Sequence, residues 1–238
     1  MTRTADERAF LSAIDEAIDA HAMLSHPFYR AWTAGELPLE VLREYAKQYF
    51  AQVKAFPTYV SSVHAQTEDL EARRLLLDNL VEEEGGSESH PELWLRFAEG
   101  LGIERTDVES AELLASTTRS VARLKALCRS DDPGDGLAAL YAYESQIPEV
   151  ARTKREGLRE HYGLDDPRTV AFFSVHEEAD VAHREQEREL LLRGGVDIEV
   201  RERRVKAAQE AAQALWHFLD GVDAAYRQTG PTSVTRTA

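Results

Sequence analysis

Apolar residues recur at three- and four-residue spacing along almost the whole chain, the period of helices with one face turned to a core. Phe10, Leu11, Ile14 and Ile18 form the first such stripe, with Asp6 placed to cap it. A short segment from His26 to Trp32 follows Ser25 and closes at Gly35. Pro38 then opens a long helix carrying Val41, Leu42, Tyr45, Tyr49 and Val53. The pattern continues through Tyr59, Val60 and Val63, so Pro57 is expected to kink this helix and not to end it. The next helix runs from about 68 to 84 and meets the pair Gly85-Gly86. Pro91 suits the first turn of the segment after it, and Leu101-Gly102-Ile103 resembles a C-cap. Further helical patterns span about 108–128, 134–162, 166–193 and 198–227. The breaks between them are short enough for antiparallel neighbours. The pattern predicts an all-α chain of seven to nine helices, with residues 1–228 forming one bundle domain and residues 229–238 a flexible, Thr-rich tail.

Composition agrees with this reading and narrows the function. Ala, Leu, Glu and Arg dominate, all strong helix formers. Asp and Glu number 43 against 28 Lys and Arg, for a net charge of -15, which argues against nucleic acid or an anionic membrane as partner. No stretch approaches the length of apolar sequence that a membrane span needs. The opening MTRTADERAF carries charges where a signal peptide has its apolar centre. The single cysteine, Cys128, excludes an intramolecular disulfide framework and a zinc site built mainly from thiolates. A cytoplasmic location is expected.

Three strings carry candidate chemistry. In His176-Glu-Glu-Ala-Asp180-Val-Ala-His183, offsets of four and seven residues place the three named side chains within about 60° of arc on a helix. Imidazole and carboxylate together suit iron, manganese or zinc. The alternative is a solvated polar face, although Phe172, Phe173 and Val175 put much of this segment against a core. The second string is Glu82-Glu83-Glu84-Gly85-Gly86-Ser87-Glu88-Ser89-His90. On an unbroken helix Glu83 and His90 would lie about 10.5 Å apart along the axis. A break at the two glycines would let them converge; otherwise they are an acidic helix end and a loop histidine. The third is Glu144, set among Leu137, Leu140, Tyr141, Tyr143 and Ile147. A carboxylate there needs either an arginine partner or a metal. There is no Walker loop, no G-x-G-x-x-G, no H-E-x-x-H and no paired Glu-x-x-His.

The succession HPFYRAW, NLVEEEGGSESHPELW, YAYESQIPEVARTK and H-x3-D-x2-H resembles the heme-oxygenase-like di-metal oxidases, and among them the CADD-like family (chlamydia protein associating with death domains), related to PqqC and TenA. The likeness covers roughly residues 20–190. It implies a compact helical bundle that binds no heme, with metal ligands at Glu83, His90, Glu144, His176, Asp180 and His183. It also implies oxygen-dependent formation of para-aminobenzoate for folate synthesis, with the protein's own tyrosine supplying the ring and a lysine the amino nitrogen. The matching residues are Tyr29 and Lys154, and Tyr45 and Tyr143 match tyrosines near the metals. Phe172 stands where the family has a further tyrosine, a departure that bears on any radical relay there. The implied cofactors are two divalent metals, Fe/Fe or Mn/Fe, with dioxygen and an external reductant as co-substrates; a homodimer is the expected assembly. Read as residues alone, Tyr29 is rather a core phenol and Lys154 a surface charge between Arg152 and Arg155. Other readings are a di-metal oxidase acting on an external amino acid or fatty acid, a metal-free PqqC- or TenA-like enzyme, and a binding protein for other helical proteins.

Overall fold

The structure is a computed structural model and describes residues 3–85, 87–177, 181–193 and 197–227, without the side chains of residues 181–185 and 227. The tail over 229–238 therefore lies outside the described residues. Among those described there is no strand. The all-α expectation holds, but the chain is divided more finely than seven to nine helices: α1 (Ala5–Asp19), α2 (Pro27–Thr33), α3 (Leu39–Gln66), α4 (Leu70–Glu84), α5 (His90–Gly100), α6 (Arg105–Glu109), α7 (Ala115–Leu127), α8 (Pro133–Glu144), α9 (Ile147–Tyr162), α10 (Pro167–Glu177), α11 (Val181–Leu192) and α12 (Ile198–Val222). None of these helices is long and apolar enough to cross a membrane.

Local chemistry accounts for the differences from the sequence pattern. Thr4, not Asp6, caps α1: its hydroxyl accepts the Glu7 N–H while the Glu7 carboxylate accepts the Thr4 N–H at 2.7 Å, a reciprocal capping box. The expected helix over 134–162 breaks at Ser145-Gln146. Pro148 has no N–H to offer the Glu144 carbonyl, and it occupies the first turn of α9 instead. The expected helix over 108–128 is interrupted between α6 and α7. There the Gln48 side chain takes over backbone bonding, donating to Glu112 O at 2.9 Å and accepting from Leu114 N at 3.0 Å. Pro57 lies inside α3, which continues past it as expected.

α3 is the central element and packs against α4, α5, α6, α7 and α8. Tyr45, Tyr49, Gln52 and Phe56 follow one another at four-, three- and four-residue steps, so they share a face, and all are buried. α12 closes one side of the bundle against α1, α7 and α8, whereas α10 lies between α5 and α9. Two glycines set the close approaches that matter for the site. A Cβ on Gly100, at the end of α5, would sit 2.2 Å from Thr169 Cγ2 on α10. A Cβ on Gly157, on α9, would sit 2.8 Å from Trp32 Cδ1 on α2. Their missing side chains bring α10 onto α5 and α9 onto α2.

Candidate metal centre and buried tyrosine array

Glu83 ends α4 and His90 begins α5, so the chain reversal between the helices brings together two side chains that an unbroken helix would hold apart. His90 Nδ1 lies 2.8 Å from Glu83 Oε1. The two atoms meet without hydrogen-bond alignment, and the buried ring nitrogen has no hydrogen-bond partner. His176, near the end of α10, adds a second imidazole: its ring centroid is 4.4 Å from that of His90. Ligand atoms of Glu83, His90 and His176 all lie within 4.8 Å of one another. His176 Nδ1 is 2.6 Å from the Phe172 carbonyl, to which it donates, so the lone pair resides on Nε2.

The electrostatics of this cluster are those of a cage for a cation. Burial raises the Glu83 carboxyl above its usual range; His90 opposes the shift, and the Glu144 charge adds to it. Burial pushes the His176 imidazole down to about 3, with His90 contributing. A carboxylate that is costly to ionise, a neutral imidazole and an orphaned ring nitrogen converge on one point. A divalent ion would satisfy all three, so these residues fit a metal.

The other residues picked out by sequence divide into three groups. Glu144, the last residue of α8, borders the same cavity as Glu83, His90 and His176. It is not one of the three clustered ligands, and among the described residues its side-chain partner is an amide and not an arginine: Oε1 accepts from Asn79 Nδ2 at 2.6 Å. Asp180 and the side chain of His183 lie outside the described residues. Tyr29, Tyr45, Tyr143 and Lys154 are all buried and form one connected array.

That array is held by α2, α3, α8 and α9. Tyr29 Oη and Tyr45 Oη are 2.8 Å apart, and Lys154 Nζ donates to Tyr45 Oη at 2.7 Å. Tyr49 Oη and Tyr143 Oη are also 2.8 Å apart, and the Tyr45 and Tyr49 rings stack at 5.4 Å. Lys154 is only 4 % exposed, so it is no surface charge. Its Nζ lies 4.6 Å from the Tyr29 ring centroid, 4.8 Å from that of Tyr49 and 5.1 Å from that of Tyr45. Trp32 Nε1 donates to the Lys154 carbonyl at 3.2 Å and so fixes this turn of α9 against α2. Burial lowers the Lys154 amine well below its ordinary value. Burial likewise raises the Tyr29, Tyr45 and Tyr143 phenols well above theirs and Tyr49 to about 12. Burial therefore disfavours charge on the amine and on the phenols alike.

Two features escaped the sequence reading. Tyr49 has the apolar spacing of a core residue, and only its hydroxyl contact with Tyr143 sets it apart. Asn79 lies in an acidic, Leu-rich helix that gives no local signal of a contact with Glu144. In addition, Glu144 and Lys154 do not share a continuous helix, because α8 ends before α9 begins. They nevertheless border one cavity of about 1070 Å³, whose wall sets aliphatic residues such as Leu75, Leu137 and Ile147 beside carboxylates such as Asp78, Glu82 and Glu149.

A nearly all-helical bundle with a histidine–carboxylate cluster facing a cavity defines a class, and comparison gives the family. The TENA/THI-4/PQQC family model matches residues 11–227, and the chain belongs to that family. A Chlamydia trachomatis serovar D protein named 4-aminobenzoate synthase is 44% identical over 214 residues, covering 89% of this chain and 90% of its own. A TenA homolog from Pseudomonas syringae pv. tomato superposes with a TM-score of 0.78 at 17% identity, covering 90% of this chain and 91% of that one. A Shewanella denitrificans domain with a heme oxygenase-like fold superposes with a TM-score of 0.74 at 20% identity, covering 98% and 97%. The fold is thus heme-oxygenase-like, as the motifs led one to expect.

Proposed function

We propose that this protein is a 4-aminobenzoate synthase that builds its product from its own Tyr29, with Lys154 supplying the nitrogen. The observation that carries the reading is the buried Lys154 amine, 4.6 Å from the centroid of the Tyr29 ring and hydrogen-bonded through Tyr45 to the Tyr29 phenol, where burial favours its uncharged form. The name of the Chlamydia trachomatis relative supports it. An uncharged amine keeps the lone pair that bond formation to carbon requires, whereas an ammonium does not.

Glu83, His90 and His176 would hold the metal, with Glu144, Asp180 and His183 completing a site for two ions, Fe/Fe or Mn/Fe. The metals would supply oxidation by dioxygen, re-primed by an external reductant. The chain's own residues do the rest. The Phe172 carbonyl holds His176 in the tautomer that offers Nε2. Asn79 orients Glu144 by donating to Oε1. Tyr45 holds the Tyr29 hydroxyl and the Lys154 amine together at 2.8 and 2.7 Å. The aromatic faces of Tyr29, Tyr45, Tyr49 and Trp32 surround Nζ on the side away from the cavity that Lys154 borders. A cytoplasmic location and a homodimeric assembly are proposed alongside it.

The test is stoichiometry. Protein loaded with ferrous iron, or iron with manganese, and given oxygen and reductant should release less than about one product molecule per chain, with Tyr29 altered in the mass spectrum and no product from Tyr29→Phe. Many turnovers per chain, or full yield from Tyr29→Phe, would remove the self-sacrifice. The cavity favours a second reading, an external substrate, because it borders the ligand cluster and has room for a small molecule. Oxygen uptake that requires an added amino acid or fatty acid would establish that reading in place of the first.

A further inference from the structure

Tyr29 is sealed from the cavity that the ligand cluster faces. Tyr49, Tyr143 and Lys154 border that cavity, whereas Tyr29 and Tyr45 are not among its described lining residues and are 1% and 0% exposed. An oxidant formed at the cluster therefore cannot touch Tyr29 directly, and the oxidising equivalent has to cross protein. The position that would place a phenol next to the cluster holds Phe172, whose ring centroid is 4.3 Å from that of His176. A benzene ring gives up an electron far less readily than an indole or a phenol, so Phe172 acts as a spacer. Immediately behind it stands an indole: Trp94, fully buried, 4.7 Å from Phe172 and anchored by its Nε1 to the Ala46 carbonyl at 2.8 Å. Trp94 in turn lies 4.9 Å from Tyr49, and Tyr49 stacks on Tyr45 at 5.4 Å. Tyr45 and Tyr29 follow at 6.2 Å, joined through their hydroxyls.

We propose that Tyr49 is the relay through which Tyr29 is oxidised, with Trp94 as its neighbour on the side of the ligand cluster. The proposal rests on the reading that Tyr29 is the substrate. In the step, one electron leaves Tyr29 and passes by way of Tyr45, Tyr49 and Trp94 to a dioxygen-derived one-electron oxidant, which is reduced; the metal that Glu83, His90 and His176 would hold would supply that oxidant. The phenolic proton of Tyr29 moves to the Tyr45 oxygen, and the Tyr45 proton moves to the lone pair of the Lys154 amine. The two short hydrogen bonds allow this transfer once they run in that sense. The products are a neutral Tyr29 phenoxyl radical and a Lys154 ammonium against the faces of Tyr29, Tyr49 and Tyr45; the ammonium then has to give its proton up to the cavity that Lys154 borders before its nitrogen can bond to carbon. Charge is conserved, and the buried array gains no unpaired anion.

The experiment follows two quantities in iron-loaded protein given oxygen and reductant: Tyr29 lost per oxygen consumed, by mass spectrometry, and the transient radical, by freeze-quench electron paramagnetic resonance. Tyr49→Phe and Trp94→Phe should each lower Tyr29 lost per oxygen by about tenfold or more while metal content stays at the wild-type level. Indole-deuterated tryptophan should narrow the transient signal of the wild-type protein, and Trp94→Phe should abolish that narrowing. Wild-type coupling in Tyr49→Phe overturns the relay. A loss of coupling in Tyr143→Phe but not in Trp94→Phe moves the route to the Tyr143 hydroxyl and overturns the role of Trp94. If wild-type protein consumes oxygen and never alters Tyr29, the proposed function itself fails, a result distinct from either of these.

Discussion

Lys154 Nζ sits 4.6 Å from the centroid of the Tyr29 ring, and among the described residues no carboxylate pairs with it. Desolvation alone lowers its proton affinity, so the folded protein holds it as an amine through a range where the unfolded chain holds an ammonium. In that window, from the lowered value up to the ordinary lysine value near 10.4, the unfolded state binds one proton more. Stability from this group therefore rises with pH, by up to ~1.4 kcal/mol per unit, and levels off above the ordinary value. We expect Lys154→Met to lose that slope and to be more stable than wild type at neutral pH, while yielding no 4-aminobenzoate. Denaturant unfolding of both proteins at a series of pH values checks this, and parallel profiles would contradict a neutral Lys154.

The amine is placed there by packing of α9 on α2, which makes Gly157 a sensitive position. Alanine would bring a Cβ to 2.8 Å from Trp32 Cδ1 and 3.1 Å from Trp32 Nε1. The Trp32 hydrogen bond to the Lys154 carbonyl would then be stretched or lost. Gly157→Ala should cost about 1–3 kcal/mol, measured by urea unfolding. Trp32→Phe combined with it should recover part of that loss, because the smaller ring relieves the clash. Strict additivity of the two changes would show that the contact does not set the fit of the helices.

The fold was legible in the sequence where one periodic pattern decided the outcome, and illegible where a single hydrogen-bonding group did. The spacing of Val41, Leu42, Tyr45, Tyr49 and Val53 gives α3 and its buried face directly. The break between α8 and α9 depends on the one N–H that Pro148 lacks, and helical spacing on both sides of it hides the interruption. The convergence of Glu83 and His90 was readable from Gly85-Gly86 as one of two alternatives. That Lys154 is buried was not readable, because Arg152 and Arg155 flank it and only Gly157 and Trp32, far apart in sequence, explain the close packing. Tyr49 was invisible for the opposite reason: a core tyrosine and a relay tyrosine have the same spacing.

His90 and His176 meet because α5 and α10 are clamped together, and one visible clamp is ionic. Glu99 at the end of α5 accepts from Arg168 of α10 at 2.5 Å and from Arg105 at 2.5 Å. The two guanidiniums, Arg105 first, hold its carboxyl down at about 2. A depressed carboxylate stabilises the fold fully above its ordinary pKa near 4.3 and loses that contribution as pH falls towards 2. The groups are partly solvent-exposed, so screening limits each pair to under ~1 kcal/mol. Glu99→Gln should therefore melt slightly lower than wild type at pH 7, with the gap closing as pH falls towards 2. A gap that stays constant on acidification would mean that the charge is not what holds α5 to α10.

Glu83 behaves in the opposite sense, and this separates a metal site from a polar corner. Its carboxyl is raised by burial, so between the ordinary value near 4.3 and the raised one the metal-free folded state keeps a proton that the unfolded chain has lost. Stability of the metal-free protein from this group falls as pH rises through that window. Glu83→Gln removes the penalty and should make metal-free protein more stable at pH 7, the advantage disappearing on acidification below pH 4. A bound ion reverses the balance, because it needs the carboxylate. Ferrous or manganous ion at a hundredfold excess over its dissociation constant should stabilise wild type by ~2.7 kcal/mol, and Glu83→Gln by much less. Thermal melts of both proteins with and without ion, read beside the metal content of each, decide the matter. An equal gain in the two proteins would place the metal elsewhere and leave Glu83, His90 and His176 as a strained polar cluster with no ion to hold.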